Sequence, residues 1–337
     1  MSALPGWYAT VIAGCAAALG LAPLVAAQHR RFGQLRPRTC AEAMAILLYA
    51  TGLACYVFWP QPGVGCASAQ WQLLAGLGSA EHAWQFTGNI VLFVPLGVFA
   101  RRYGGGRALA IASGTAVSLL VEHAQLTGFW SVLPCAYRVF DVDDLLANTC
   151  GAALGGLVPA GPPRPPAPAP RTARPVTPDR RVLGMACDLT SLLSVSAIVA
   201  ATSTTGDSAA WWRAVACWFV PALLALAVLV GGGGTSPGQR AVLLRADRTA
   251  HPVRACALRW GAGCGGLAIA LGGAELHGAA DELSAVLLVA VWCLAHGGAA
   301  FVGNDARGIS GRIARLHFSD VRTAGRAGTG VPATTPT

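Results

Sequence analysis

The sequence predicts an all-α fold: a polytopic integral membrane protein of about nine transmembrane helices, in modules of five and four, N-terminus outside and C-terminus inside. Three observations predict it. Only 12% of the 337 residues are charged and 54% are hydrophobic, with a mean hydropathy of +0.53, whereas soluble domains carry roughly 25% charged residues. Apolar runs of membrane-spanning length recur along the chain. The 24 Lys+Arg residues are all Arg, and they gather in alternate loops.

Helices of about 17 to 25 apolar residues cross a hydrocarbon core, and nine stretches read that way. They run from Trp7 to Ala27, Ala41 to Trp59, Gln85 to Ala100, Ala108 to Trp130, Leu145 to Val158, Val182 to Ala201, Ala214 to Val230, Ala255 to Ala274 and Leu283 to Val302. The fifth is short. It is expected to begin earlier, through Val142 and Asp144, because too few residues lie between Pro134 and Leu145 to form anything else.

Short cytoplasmic loops collect positive charge. Arg30, Arg31, Arg36 and Arg38 follow the first stretch, Arg101, Arg102 and Arg107 the third, and Arg164 to Arg181 the fifth. Arg240 to Arg254 follow the seventh and Arg307 to Arg326 the ninth, whereas the intervening loops hold only Arg138. Arg213 and Arg259 fall at stretch ends, where long side chains snorkel. The first stretch reads as an anchor rather than a cleaved signal, since its Arg cluster follows the apolar core instead of preceding it. The Arg residues lie in short inter-span segments, not on a soluble face interleaved with aromatics, so nucleic acid is not an expected partner. Membrane lipid is.

Residues 159–180 are dense in proline and read as a semi-rigid cytoplasmic spacer. They divide a first module, 1–158, from a second, 181–318, followed by a disordered tail, 319–337. No internal repeat relates the modules, so an inverted-repeat transporter plan is not supported.

Polar groups inside hydrocarbon are costly and tend to face a bundle interior. Asn89, Glu122 and Asn148 fall at one depth on three helices, and Glu122 shares a helix face with Gln125 and Ser118. Asp141, Asp144 and Asn148 share another face, with Arg138 as the natural counter-charge. These residues form the candidate ligand site; an Asn or Gln in a bundle can equally serve only as an interhelical hydrogen bond. Gly151-Ala-Ala-Leu-Gly155 is a small-x-x-x-small pattern that reads as helix packing. Cys66 and Cys135 both fall in expected outward loops of the first module, an oxidising setting, and are a candidate disulfide. No Cys or His spacing suggests a zinc site, and no cofactor is expected beyond a divalent cation that the acids could hold.

The segments Thr87-Gly-Asn89-Ile-Val-Leu-Phe-Val-Pro95-Leu-Gly97, Glu122-His-Ala-Gln125 and Arg138-Val-Phe-Asp141-Val-Asp-Asp144-Leu-Leu-Ala-Asn148-Thr-Cys-Gly151 resemble the VanZ-like family of membrane proteins over about Ala41 to Val158. The resemblance implies a cell-envelope role, linked in the family's namesake to glycopeptide (teicoplanin-type) resistance, and no defined reaction. In the second module, Arg181 and Asp188 with the loop Gly234-Thr-Ser-Pro-Gly-Gln-Arg240 resemble the RDD family. The closing aspartate of that pattern is missing, because Ser310-Gly311 stands where a His-Asp pair would fall. Asp188 is expected to pair with Arg181 or Arg259 near the inner interface, and Thr235 to Arg248 to form a short interfacial helix.

The expected role is a plasma-membrane envelope protein that recognises a lipid-linked cell-wall precursor or glycopeptide. The alternatives are an enzyme acting on a lipid headgroup, with Glu122 or Asp144 as base, and an ion-coupled transporter using Glu122 and Asp188.

Overall fold

The computed structural model describes residues 6–58, 69–74, 78–104, 106–127, 139–159, 172–202, 209–247, 249–278, 281–302 and 306–322. It is mostly helical. Six described helices, or helical runs, are long and apolar enough to cross a membrane: α3 (Pro37–Phe58), α4 (Ala80–Gly104), α5 (Arg107–Leu126), α7 (Pro178–Thr202), the run α8 (Ala209–Ala214), π-turn (Val215–Phe219), α9 (Val220–Gly231), and α13 (Glu282–Phe301). A seventh is added if α11 (Pro252–Gly261) and α12 (Cys264–Leu276), bent by 47° at their break, are one span.

Two further stretches differ from expectation. The first is interrupted at Gly20 into α1 (Gly6–Leu19) and α2 (Leu21–Phe32), and Pro23, just past the break, has no N–H with which to continue the hydrogen-bond ladder. The fifth becomes α6 (Val142–Leu157), which does start early, at Val142, but has only 16 residues.

By contact the chain divides into residues 1–13 with 46–165, and residues 14–45 with 166–337. The first module of the sequence therefore gives up 14–45 to the second unit. Apolar burial is the reason: Val25 of α2 packs with Cys187 of α7 and with Ala241, Val242 and Leu244.

In the first unit α4, α5 and α6 form the packed centre. A Cβ on Gly151 would stand 2.2 Å from the carbonyl oxygen of Ile90, and one on Gly155 would stand 2.1 Å from that of Val94. Gly97 of α4 answers with the same closeness to Ala152, so the two backbones touch through small residues, as small-x-x-x-small packing requires. A two-residue parallel bridge, β1 (Ala69–Gln70) on β2 (Phe140–Asp141), precedes α6, and the Trp71 ring leans on Phe140 with centroids 4.8 Å apart.

In the second unit α10 (Pro237–Ala241) lies against α7 and α2. The expected interfacial helix from Thr235 to Arg248 stops at Ala241, and the chain turns into β3 (Leu244–Ala246). This strand pairs antiparallel with β4 (Phe318–Asp320) beyond α14 (Gly308–Ile313). Strand pairing explains the change: buried Leu244 and Val242 join the protein core instead of lying on lipid. Residues 319 and 320, expected in a disordered tail, are instead part of β4, where Asp320 is buried and accepts hydrogen bonds from Arg180 and from the backbone N–H of Arg174.

Candidate functional site

Helix α6 begins with a built N-cap. Asp141 is extended, at φ −128° and ψ 122°, and its carboxylate accepts the backbone N–H of Asp143 at 2.8 Å, which satisfies one of the orphan donors of the first turn. Asp143 and Asp144 follow in that turn, where the helix dipole favours negative charge.

This cap is tied to both neighbouring helices. Glu122 on α5 is 1% exposed, and its Oε2 accepts the backbone N–H of Asp141 at 3.1 Å. Asn89 on α4 donates to Asp144 Oδ1 at 2.6 Å, and Gln85, one turn earlier, donates to Oδ2 at 3.5 Å. Asp143 Oδ1 accepts the N–H of Leu74 at 2.7 Å. Deeper in the bundle Asn148 donates to Ser118 Oγ at 2.9 Å while its own carbonyl oxygen is buried without a partner. Gln125 is buried beside Glu122 on α5.

Asn89, Glu122, Asp141 and Asp144 are thus brought together, with Asn148 and Ser118 beneath. Arg138, Cys66 and Cys135 lie outside the described residues. Asp143, part of the acidic run read in the sequence, belongs to the same group, as do Gln85 and His82, which were not singled out there. They line, with Phe86, Asp141 and Asp144, a recess of about 20 Å³. Gln85 stands four residues before Asn89, and that spacing is the signal that places both on one face of α4. Among the described residues no three His, Cys, Asp or Glu side chains converge as metal ligands.

The second-module residues sit otherwise than expected. Asp188 accepts from Ser236 Oγ at 2.5 Å and from Gly238 N at 2.7 Å, so a hydroxyl and a backbone amide hold it where an Arg was expected. Arg181 donates instead to the carbonyls of Ala306 and Arg307 at 3.1 and 2.9 Å. Arg259 does not snorkel: it is buried and donates to the carbonyl of Gly234 and to Ser236 Oγ. The reason is the loop 234–238, which folds back over α7 and offers its own polar groups. Arg213 meets Glu275 at 2.8 Å. No aspartate replaces Ser310-Gly311, but Asp320 pairs with Arg180 at 3.0 Å and Arg322 at 2.6 Å.

Residues 46–159 match the VanZ/LLP1 family model. That stretch contains every residue of the α4–α5–α6 network, and the N-terminal module is VanZ-like. No curated protein and no solved structure matches the chain.

Proposed function

We propose that this VanZ-like membrane protein works in the cell envelope, where the carboxylate network at one end of α4, α5 and α6 binds the headgroup of a lipid-linked cell-wall precursor or a glycopeptide. The observation that carries the reading is the meeting of Glu122, Asp141 and Asp144 at one level, through the Asp141 N–H on Glu122 and Asn89 on Asp144. Carboxylates fixed by donors from neighbouring elements still have lone pairs for the hydroxyl, amide or ammonium donors of a ligand. Arg138, two residues before β2 in sequence, would supply a guanidinium for phosphate or carboxylate on the same headgroup.

The Arg alternation along the sequence favours nine spans, with this end of the bundle outward at the plasma membrane and the C-terminus inside. Recognition is favoured over catalysis because these acids already serve as cap and ties. A general base takes up a proton in each cycle, and protonating Glu122 or Asp144 would weaken the hydrogen bonds that they accept from the Asp141 N–H and Asn89.

The test uses the full chain in nanodiscs titrated with a lipid-linked cell-wall precursor, with and without a chelator. Saturable binding that survives chelation and weakens at least about tenfold in Asp144→Asn, the scale of one charge-assisted hydrogen bond, supports the proposal. Absence of binding, or equal binding by Asp144→Asn, overturns it. Binding abolished by the chelator would assign the acids to a divalent cation, and turnover of the precursor would make the module an enzyme.

A further inference from the structure

The second unit holds a half-open chamber of about 320 Å³ between α7, α9, α11, α12 and α13. Its walls are mostly apolar, with Leu192, Val195, Leu224, Ala225, Trp260 and Trp292 among them. Ligand pockets of small amphiphiles have this character and begin at about this size. Its polar lining includes Arg181, Asp188, Arg259, Ser236 and His296.

The charge balance in that group is unequal. Among the described residues two guanidiniums face one carboxylate, and the carboxylate is already engaged by Ser236 and Gly238. Arg181 is 0% exposed. Its Nε and Nη2 donate to the Ala306 and Arg307 carbonyls, and its Nη1 is buried with no hydrogen-bond partner. An unpartnered donor on a buried cation costs more than an ordinary lost hydrogen bond. Both guanidiniums also stand over the Phe318 ring, Arg181 at 3.8 Å and Arg259 at 4.9 Å from its centroid, so one aromatic ring gathers two like charges. His296 is stacked on Trp292 at 4.3 Å and adds a further donor at the wall.

We propose that this chamber binds a single-chain amphiphile with an anionic head, phosphate or carboxylate, the head on Arg181 and Arg259 and the chain along the apolar wall. An anion there satisfies the idle Arg181 donor and offsets the paired cations, while a neutral or cationic head does neither. The bidentate fork of a guanidinium suits phosphate and carboxylate alike. The site lies wholly in the second unit and is independent of the acidic network on α4, α5 and α6.

The purified full chain, in nanodiscs of zwitterionic lipid, is titrated with oleate, oleoyl lysophosphatidate, oleoyl lysophosphatidylcholine and oleyl alcohol, and bound amphiphile is counted by native mass spectrometry. Inorganic phosphate is the competitor for the head alone. The expected result is near one-to-one binding of an anionic amphiphile, at least tenfold weaker binding of the zwitterionic and neutral ones, and a tenfold or greater loss in Arg181→Gln with partial recovery in Arg181→Lys. Preference between oleate and lysophosphatidate identifies the head. Because Arg181 also holds two backbone carbonyls, Ala225→Phe provides the second variant: it fills the chamber without touching a charge and is expected to abolish binding in a normally folded protein. Equal binding of oleyl alcohol, no binding of either anion, or unchanged binding in Ala225→Phe overturns the assignment.

Discussion

Asn89 on α4 donates a 2.6 Å hydrogen bond to Asp144 in the first turn of α6, and this one contact joins the two helices whose glycines also bring their backbones together. Asn89 is largely buried, so its replacement leaves Asp144 short of a donor where water does not easily substitute. Asn89→Ala is expected to destabilise the first unit by about 1–3 kcal/mol. Gln85→Ala, which removes only the longer contact from an exposed residue, is expected to cost less than about 0.5 kcal/mol. Thermal unfolding of both variants in one detergent checks the order; an equal loss would remove Asn89 from its role as the tie.

Close approach of α4 and α6 makes a second pair of outcomes. Gly155→Ala places a methyl 2.1 Å from the Val94 carbonyl oxygen, and since the obstacle is backbone the helices must separate, at an expected cost of about 1–3 kcal/mol or more. Gly88→Ala, on α4 a few residues before the same seam, meets nothing within 4 Å and is expected to be neutral or slightly stabilising, because alanine is the better helix former. Yield and monodispersity after extraction, with melting curves, distinguish the two.

Acid is expected to weaken the second unit through Asp320. Burial acts to raise this carboxyl, but hydrogen bonds from the Arg322 side chain and backbone, the Arg174 backbone and Arg180 prevail and hold it well below the usual carboxylate range. A folded-state value below the unfolded one, near 4, means the contribution is complete above that pH and is lost as the pH falls through the depressed value. Asp320→Asn is expected to cost about 3 kcal/mol or more at pH 7, as removal of one partner of a buried pair does. The gap between the variant and the unmodified protein should narrow below about pH 4. Melting curves at pH 7, 4 and 3 test the sign, and a gap that widens on acidification would refute it.

Asp188 gives a fourth expectation. Its oxygens accept from Ser236 Oγ and Gly238 N, and an asparagine amide retains only one acceptor oxygen for those two donors. Asp188→Asn is therefore expected to loosen the loop 234–238 and raise its amide hydrogen exchange. It is expected to leave precursor binding at the first unit unchanged, and a matching loss of that binding would show the two sites to be coupled.

Much of the helical pattern was legible because apolar length and period are local properties. The early start of α6 followed from the few residues between Pro134 and Leu145, and the Gly151 and Gly155 spacing marked the seam. The membership of α2 in the second unit, by contrast, depends on Val25 finding a place beside Cys187, a contact between residues more than 150 positions apart in the chain. Asp188 looked like half of an ion pair because Arg181 stands two turns before it and Arg259 read as an Arg snorkelling near the same inner interface; the donors that hold it come from a loop some 50 residues on. Asp320 gave no signal at all, being one acid near the end of an Arg-rich segment until strand pairing buried it.

By itself the sequence determined a largely helical, membrane-spanning chain with a VanZ-like first module, because hydropathy, helix period and short polar motifs are written within single segments. Only the tertiary structure decided which acids meet, which cation is left with an idle donor, and where a chamber opens. Those depend on side chains from distant segments competing for the same few buried partners, and that competition is settled by packing rather than by order along the chain.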